Sequence, residues 1–153
     1  MVEWCARIKI NVVEQDEREQ SGQRARLNLG HTIGHALEAA SGYSGWKHGD
    51  AVSVGMVVAS IISVSGGEMS ISDFEELQRL LKTFGLPVRS GISWEELVPF
   101  IRRDKKFVSR MPRLVVPRGI GNSVLSSTVS LADVEHAYRE VMLYGEKTDL
   151  SCC

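Results

Sequence analysis

The run Ala51–Val64, AVSVGMVVASIISV, does more than any other feature to limit how this chain can fold. At helical spacing it is apolar on nearly every side, so a helix built from it has no face for water and must be surrounded by the rest of the domain. Gly66-Gly67 closes the run. It is shorter than a bilayer-spanning helix requires, which points to a core element. At 153 residues and 43% hydrophobic content, there is enough chain to wrap one such core but not two.

The surrounding pattern is also helical. From Val2 to about Glu19, the spacing of Trp4, Ile8, Val12 and Val13 predicts an amphipathic helix, interrupted at Ser21-Gly22. A second helix is predicted over Arg24 to Ala40, ended by Ser41-Gly42. It contains Gly30 and Gly34, each costing about 1 kcal/mol in a helix relative to alanine, a cost usually explained by close approach of a neighbouring helix or a ligand. Ser72 to Phe84 predicts a helix with Phe74, Leu77, Leu80 and Leu81 on one face and a capping box from Ser72 to Glu75. Ser93 and Glu96 repeat that signature before a shorter helix whose regularity Pro99 limits. Arg113–Val116 and Ser123–Val129, flanking Gly119–Asn122, predict a two-stranded ribbon, and a last helix is predicted from about Leu131 to Leu143. The expectation is a mainly α, multi-helix domain over residues 1–144 with a small β-ribbon and a tail over 145–153.

Charge gives little guidance. With 18 basic against 19 acidic residues, nothing calls for a nucleic-acid or membrane-surface partner. Locally, Arg102, Arg103, Lys105, Lys106, Arg110, Arg113 and Arg118 face only Asp104, a basic stretch that is ordinarily a solvated loop but can meet an anion. Cys5, Cys152 and Cys153 lack metal-ligand spacing and cannot frame a domain with disulfides, so a reducing cytoplasm fits best. The start MVEWCARIKI has no apolar signal core, and a soluble protein is expected.

Chemistry concentrates in three histidines, His31, His35 and His48. His31 and His35 are four apart, so a helix projects them from one face, and imidazoles clustered this way suit a catalytic zinc with an open position. Spacing alone favours His31 and His35 as the metal pair, with His48 as a third ligand or a bystander. Without a metal, these would be polar or helix-capping histidines.

The run Arg24–Glu38, RARLNLGHTIGHALE, followed by His48-Gly49-Asp50-Ala51-Val52 and Gly55-Met56, resembles the signature of 3-dehydroquinate synthases. So do Lys9, Val12-Val13 and Asp16-Glu17 upstream, and Gly85-Leu86-Pro87 and Asp104-Lys105-Lys106 downstream, an ordered set reaching from about Lys9 to Val141. The resemblance implies the helical C-terminal domain of the dehydroquinate synthase-like fold, with an NAD-binding α/β half that is not in this sequence. It implies that Zn2+ or Co2+ is held by His31 and His48 with a glutamate from outside the segment, in place of the pairing that spacing suggests. His35 then becomes a substrate-site and proton-transfer residue. Lys9, Arg24 and Asn28 match substrate-binding positions, Glu19 an acidic position near the site, and one of Lys105 and Lys106 a phosphate-proximal lysine. Asp50 stands where the family usually has glutamate.

The reaction so implied converts 3-deoxy-D-arabino-heptulosonate 7-phosphate to 3-dehydroquinate and phosphate, in the shikimate pathway of aromatic amino-acid biosynthesis, with NAD+ as cofactor. No strand–turn–helix unit with a glycine-rich phosphate loop is visible, so the NAD half is expected in cis or in trans. Two alternatives stay open: another sugar-phosphate cyclase resembling 2-deoxy-scyllo-inosose synthase, and a non-catalytic metal-binding or partner domain. A homodimer through the long apolar helix is compatible with the pattern.

Overall fold

The structure, a computed structural model, describes residues 2–18, 22–43, 45–103 and 113–148, with side chains to residue 143. Helix α1 spans Val2–Gln15, a 3-10 helix spans Arg24–Asn28, and four α-helices follow: α2 His31–Ala40, α3 His48–Ser65, α4 Ile71–Thr83 and α5 Trp94–Arg103. Strands β1 (Leu114–Pro117) and β2 (Ser123–Ser126) pair antiparallel with Leu114 opposite Ser126, and α6 spans Leu131–Thr148. The fold is mainly helical, as expected, and the last helix runs past Leu143 into the segment expected to be tail.

Helix α3 is the centre. It packs on α2, α4, α6 and β1, and Ala51, Val54, Val57 and Val58 are wholly inaccessible. By length and apolarity alone it passes for a membrane span, but its surroundings are the protein's own core. On α6, the buried Tyr138 sits against Trp94 and anchors its hydroxyl to Ser90 and, at 2.7 Å, to the Ile92 carbonyl. Burial pushes that hydroxyl's pKa up, so it stays protonated and able to donate.

Three expectations about local structure are corrected. The predicted Arg24–Ala40 helix is divided: the 3-10 helix ends at Asn28, and Gly30, left-handed at φ 78°, restarts the chain as the N-cap of α2. The cap of α4 is Ser70, which accepts from the Asp73 amide at 3.1 Å, while Ser72 lies inside the helix. Both serines have an acid three residues on, and the apolar phase does not choose between them. Leu80, expected on the inner face, is 50% exposed, because the buried stripe runs Phe74, Leu77, Leu81. The Ser93–Glu96 box forms as expected, with Glu96 Oε2 accepting from the Ser93 amide at 2.9 Å.

Candidate metal centre

The glycines explain the position of the histidines. A Cβ on Gly55 would run into the Gly30 carbonyl, and one on Gly30 would come within 2.5 Å of the Val52 oxygen. On Gly34 it would press on Val52 at 3.1 Å. These absences of side chain let α2 and α3 approach backbone to backbone. The approach sets the first residue of α2, His31, beside the first residue of α3, His48.

Three imidazoles therefore converge from two helices. Ring centres lie 5.2 Å apart for His31 and His48, 5.6 Å for His31 and His35, and 5.9 Å for His35 and His48. Two imidazoles sharing a tetrahedral zinc through Zn–N bonds of about 2.0–2.1 Å have ring centres about 5 Å apart, so the spacing fits a shared ion. For neutral rings, the hydrogen bonds mark which nitrogen is left for an ion. His31 Nδ1 faces the Leu29 carbonyl at 3.1 Å, and a carbonyl only accepts, so Nδ1 carries the proton and Nε2 keeps its lone pair. His48 Nδ1 faces the Glu38 carboxylate at 3.2 and 3.3 Å, with the same result. Both residues open a helix, so the two rings project from adjacent helix ends toward one point. The donor set therefore fits a divalent ion of the zinc type.

A different trio also has ligand atoms within 4.8 Å of one another: His35, Glu38 and His48. Glu38 is a site residue that sequence reasoning missed. It lies on the His31 and His35 face of α2, but its link to His48 crosses the connection after Ala40, where helical spacing carries no information. His35 is exposed and opens onto a cleft of about 450 Å3 lined also by Thr32, Ala39, Tyr43, Phe100 and Arg103. Tyr43 holds a left-handed backbone, φ 61°, as the chain leaves α2. Arg103, 5.6 Å over the Phe100 ring, brings a cation from the basic stretch to this cleft.

The remaining expected residues are spread over neighbouring elements. Asn28 ends the 3-10 helix, half-buried, just ahead of His31. The backbone amide of Arg24 donates to the buried Asp16 carboxylate at 3.1 Å, and its guanidinium donates to the Glu17 carbonyl at 3.3 Å. Arg26 is a staple: it donates to the Ser123 carbonyl and, at 2.6 Å, to Asn122, tying the 3-10 helix to the ribbon. Lys9 is exposed on α1, which packs on the 3-10 helix. Glu19, Lys105 and Lys106 lie outside the described residues. The fourth histidine, His136, is on α6 and pairs with Glu140 at 3.4 Å. It lines a larger cleft of about 700 Å3 between β2, α6 and the end of α3, whose charged Arg118 and Glu68 engage each other. Size favours that cleft, but the convergent ligand chemistry lies at the three histidines, and the site is assigned there.

Comparison with known proteins gives the chain a family. A 3-dehydroquinate synthase from Desulforamulus reducens is 42% identical over 136 residues, covering 88% of this chain and 38% of the relative. One from Colwellia psychrerythraea is 39% identical over 132 residues, covering 85% and 37%. The chain thus spans well under half the length of these relatives. Among solved structures, 2-deoxy-scyllo-inosose synthase complexed with carbaglucose-6-phosphate, NAD+ and Co2+ superposes with a TM-score of 0.73 at 24% identity, covering 90% of this chain and 40% of that one. The 2-epi-5-epi-valiolone synthase from Streptomyces hygroscopicus subsp. jinggangensis, with NAD+ and Zn2+ bound, gives 0.72 at 19%, covering 86% and 37%. At such identities these two establish the fold. The family described as 3-dehydroquinate synthase C-terminal matches residues 1–107, and with relatives of that name about 40% identical over most of the chain, the chain belongs to that family.

Proposed function

We propose that this chain is the metal- and substrate-binding part of a 3-dehydroquinate synthase, which acts with an NAD-binding half in cis or in trans. The observation that carries the reading is the convergence of His31, His35 and His48 within 5.2–5.9 Å across the glycine contact. Identity of about 40% to relatives named 3-dehydroquinate synthase favours this substrate over that of 2-deoxy-scyllo-inosose synthase, at 24%.

In this reading His31 and His48 hold a divalent ion through Nε2, with a glutamate supplied by the other half. When bound, the ion supplies Lewis-acid polarisation at the carbon being oxidised, and NAD accepts and returns the hydride. His35, beside the two ligands and open to the Arg103 cleft, moves a proton at its imidazole as phosphate leaves. Lys9, Arg24, Asn28 and one of Lys105 and Lys106 hold the carboxylate, hydroxyls and phosphate of the heptulosonate phosphate, and Glu19 is the nearby acid. The alternative ligand trio His35, Glu38 and His48 makes the opposite prediction for His35.

Metal titration of the His31→Ala, His35→Ala and His48→Ala chains separates the two. Loss of binding in the first and third, with His35→Ala near parental, supports the reading; loss in His35→Ala with His31→Ala intact overturns it. In the enzyme completed with its NAD-binding half, His35→Ala should lower phosphate release by about 10²–10⁴-fold at unchanged metal content.

A further inference from the structure

We propose that Glu38 is the positioning residue of the metal centre: it fixes the ring of His48 through Nδ1 and stays outside the ion's coordination sphere. This rests on the reading that His31 and His48 hold the ion, and it concerns a residue to which the family resemblance gives no role.

His48 is poorly fixed by its own surroundings. Its side chain is 55% exposed, it opens α3, and only the segment after Ala40 leads into it. Glu38 is the opposite case, 16% exposed on a helix whose neighbouring Leu37 and Ala36 are buried at 0% and 4%. A half-buried carboxylate on a packed helix that takes the N–H of an exposed imidazole sets the ring's rotation and its tautomer together. It leaves Nε2 as the lone pair presented toward His31.

Two further features say why an acid belongs here. Glu38 lies near the carbonyl end of α2, where the helix dipole opposes a negative charge, so it needs a donor or cation nearby to be tolerated. And the ion's two histidines sit at the amino ends of two helices, an electropositive setting for a cation, which a carboxylate beside His48 offsets. Direct ligation is the competing arrangement, since Glu38, His35 and His48 ligand atoms lie within 4.8 Å of one another. It is disfavoured by which nitrogen Glu38 faces: its oxygens lie 3.2 and 3.3 Å from His48 Nδ1, the nitrogen that an ion held through Nε2 does not use.

The test is Co2+ titration of the 153-residue chain, followed by calorimetry and by visible absorption, for the parent, Glu38→Ala, Glu38→Gln, His31→Ala and His48→Ala. Removing the outer carboxylate should weaken Co2+ binding by about 10–100-fold in Glu38→Ala. Glu38→Gln should lose less, because its amide oxygen still accepts from Nδ1, and it also decides the matter if the alanine variant fails to fold. In both, the ligand-field bands of bound Co2+ should keep their position and intensity. Parental affinity in Glu38→Ala, or altered bands with glutamine as damaging as alanine, overturns the proposal. Parental affinity in His31→Ala and His48→Ala instead sinks the ligand assignment beneath it.

Discussion

Helices α1 and α3, one striped with apolar residues and the other apolar nearly all round, are covered to opposite extents. In α3 ten of the eighteen residues are buried and the helix is enclosed by four other elements. In α1 none of the fourteen residues is buried: Trp4 is 72% exposed, Ile8 49% and Ile10 53%. Only its end engages the domain closely, where Val12 and Val13 are half-buried and the buried Asp16 accepts from the Arg24 amide. The all-apolar helix carries its own proof of burial, because no orientation exposes less. An amphipathic stripe says only that some surface covers it, and among the described residues none covers Trp4 and Ile8.

The comparison is broken most directly at Gly55. Its Cβ would collide with the backbone of Gly30, and backbone cannot move aside as a side-chain tip can. Overpacking usually costs about 1–3 kcal/mol and more where main chain is opposed, so Gly55→Ala should lose at least about 3 kcal/mol or fail to fold. Denaturant unfolding followed by circular dichroism measures it. A variant of unchanged midpoint would mean that α2 and α3 are farther apart than described, and the convergence of His31 with His48 would go with them.

This contact also shows what sequence can and cannot disclose. Gly30 and Gly34 are costly in a helix, which calls for close approach of either a neighbouring helix or a ligand; the structure supplies the helix, with Val52 and Met56 as the neighbours. That Gly30 ends one helical segment and caps the next was not legible, since a glycine is compatible with both and only φ separates them. His31 and His35 are legible as a pair because a helix returns to one face after four residues, whereas His48 joins them through the family resemblance rather than through spacing. Glu38 is not legible, because its partner lies beyond a turn whose path helical spacing does not determine. The exposure of α1 was hidden for the reason already argued.

Helix α6 falls between the two extremes, with Val134, Ala137, Tyr138 and Val141 buried and its outer face wet. Its exposed first turn offers a graded measure of what a cap contributes when burial does not. Ser130 and Asp133 cap each other: Asp133 Oδ2 accepts from the Ser130 hydroxyl and amide at 2.7 Å, and the Asp133 amide donates to Ser130 Oγ at 3.2 Å. These bonds, the hydroxyl's first, hold the Asp133 pKa below its ordinary value. A depressed carboxylate stabilises the fold above its unfolded pKa, and that stability is lost as pH falls through the folded one. Asp133→Ala should therefore cost about 1 kcal/mol near neutral pH, and its deficit against the parent should shrink as pH drops below about 4. A deficit that stays constant across pH would assign the effect to packing.

The smallest effect is expected in α1, and a small effect is the informative result there. Trp4→Ala or Ile8→Ala removes a large apolar side chain, a change that in α3 would open a cavity. In α1 neither side chain is buried, so there is little area to re-expose and no cavity to leave. Surface substitutions usually stay within about 0.5 kcal/mol, and both variants should unfold within that margin of the parent. Because the chain covers only 38% and 37% of its close relatives' lengths, the measurement has a second use. Repeated in the complete enzyme, it asks whether the stripe is still bare. If the same substitutions cost about 2 kcal/mol or more there while remaining silent in this chain, α1 has a partner outside it. If they already cost that much in this chain, α1 is packed within it, and the contrast between the two helices is wrong.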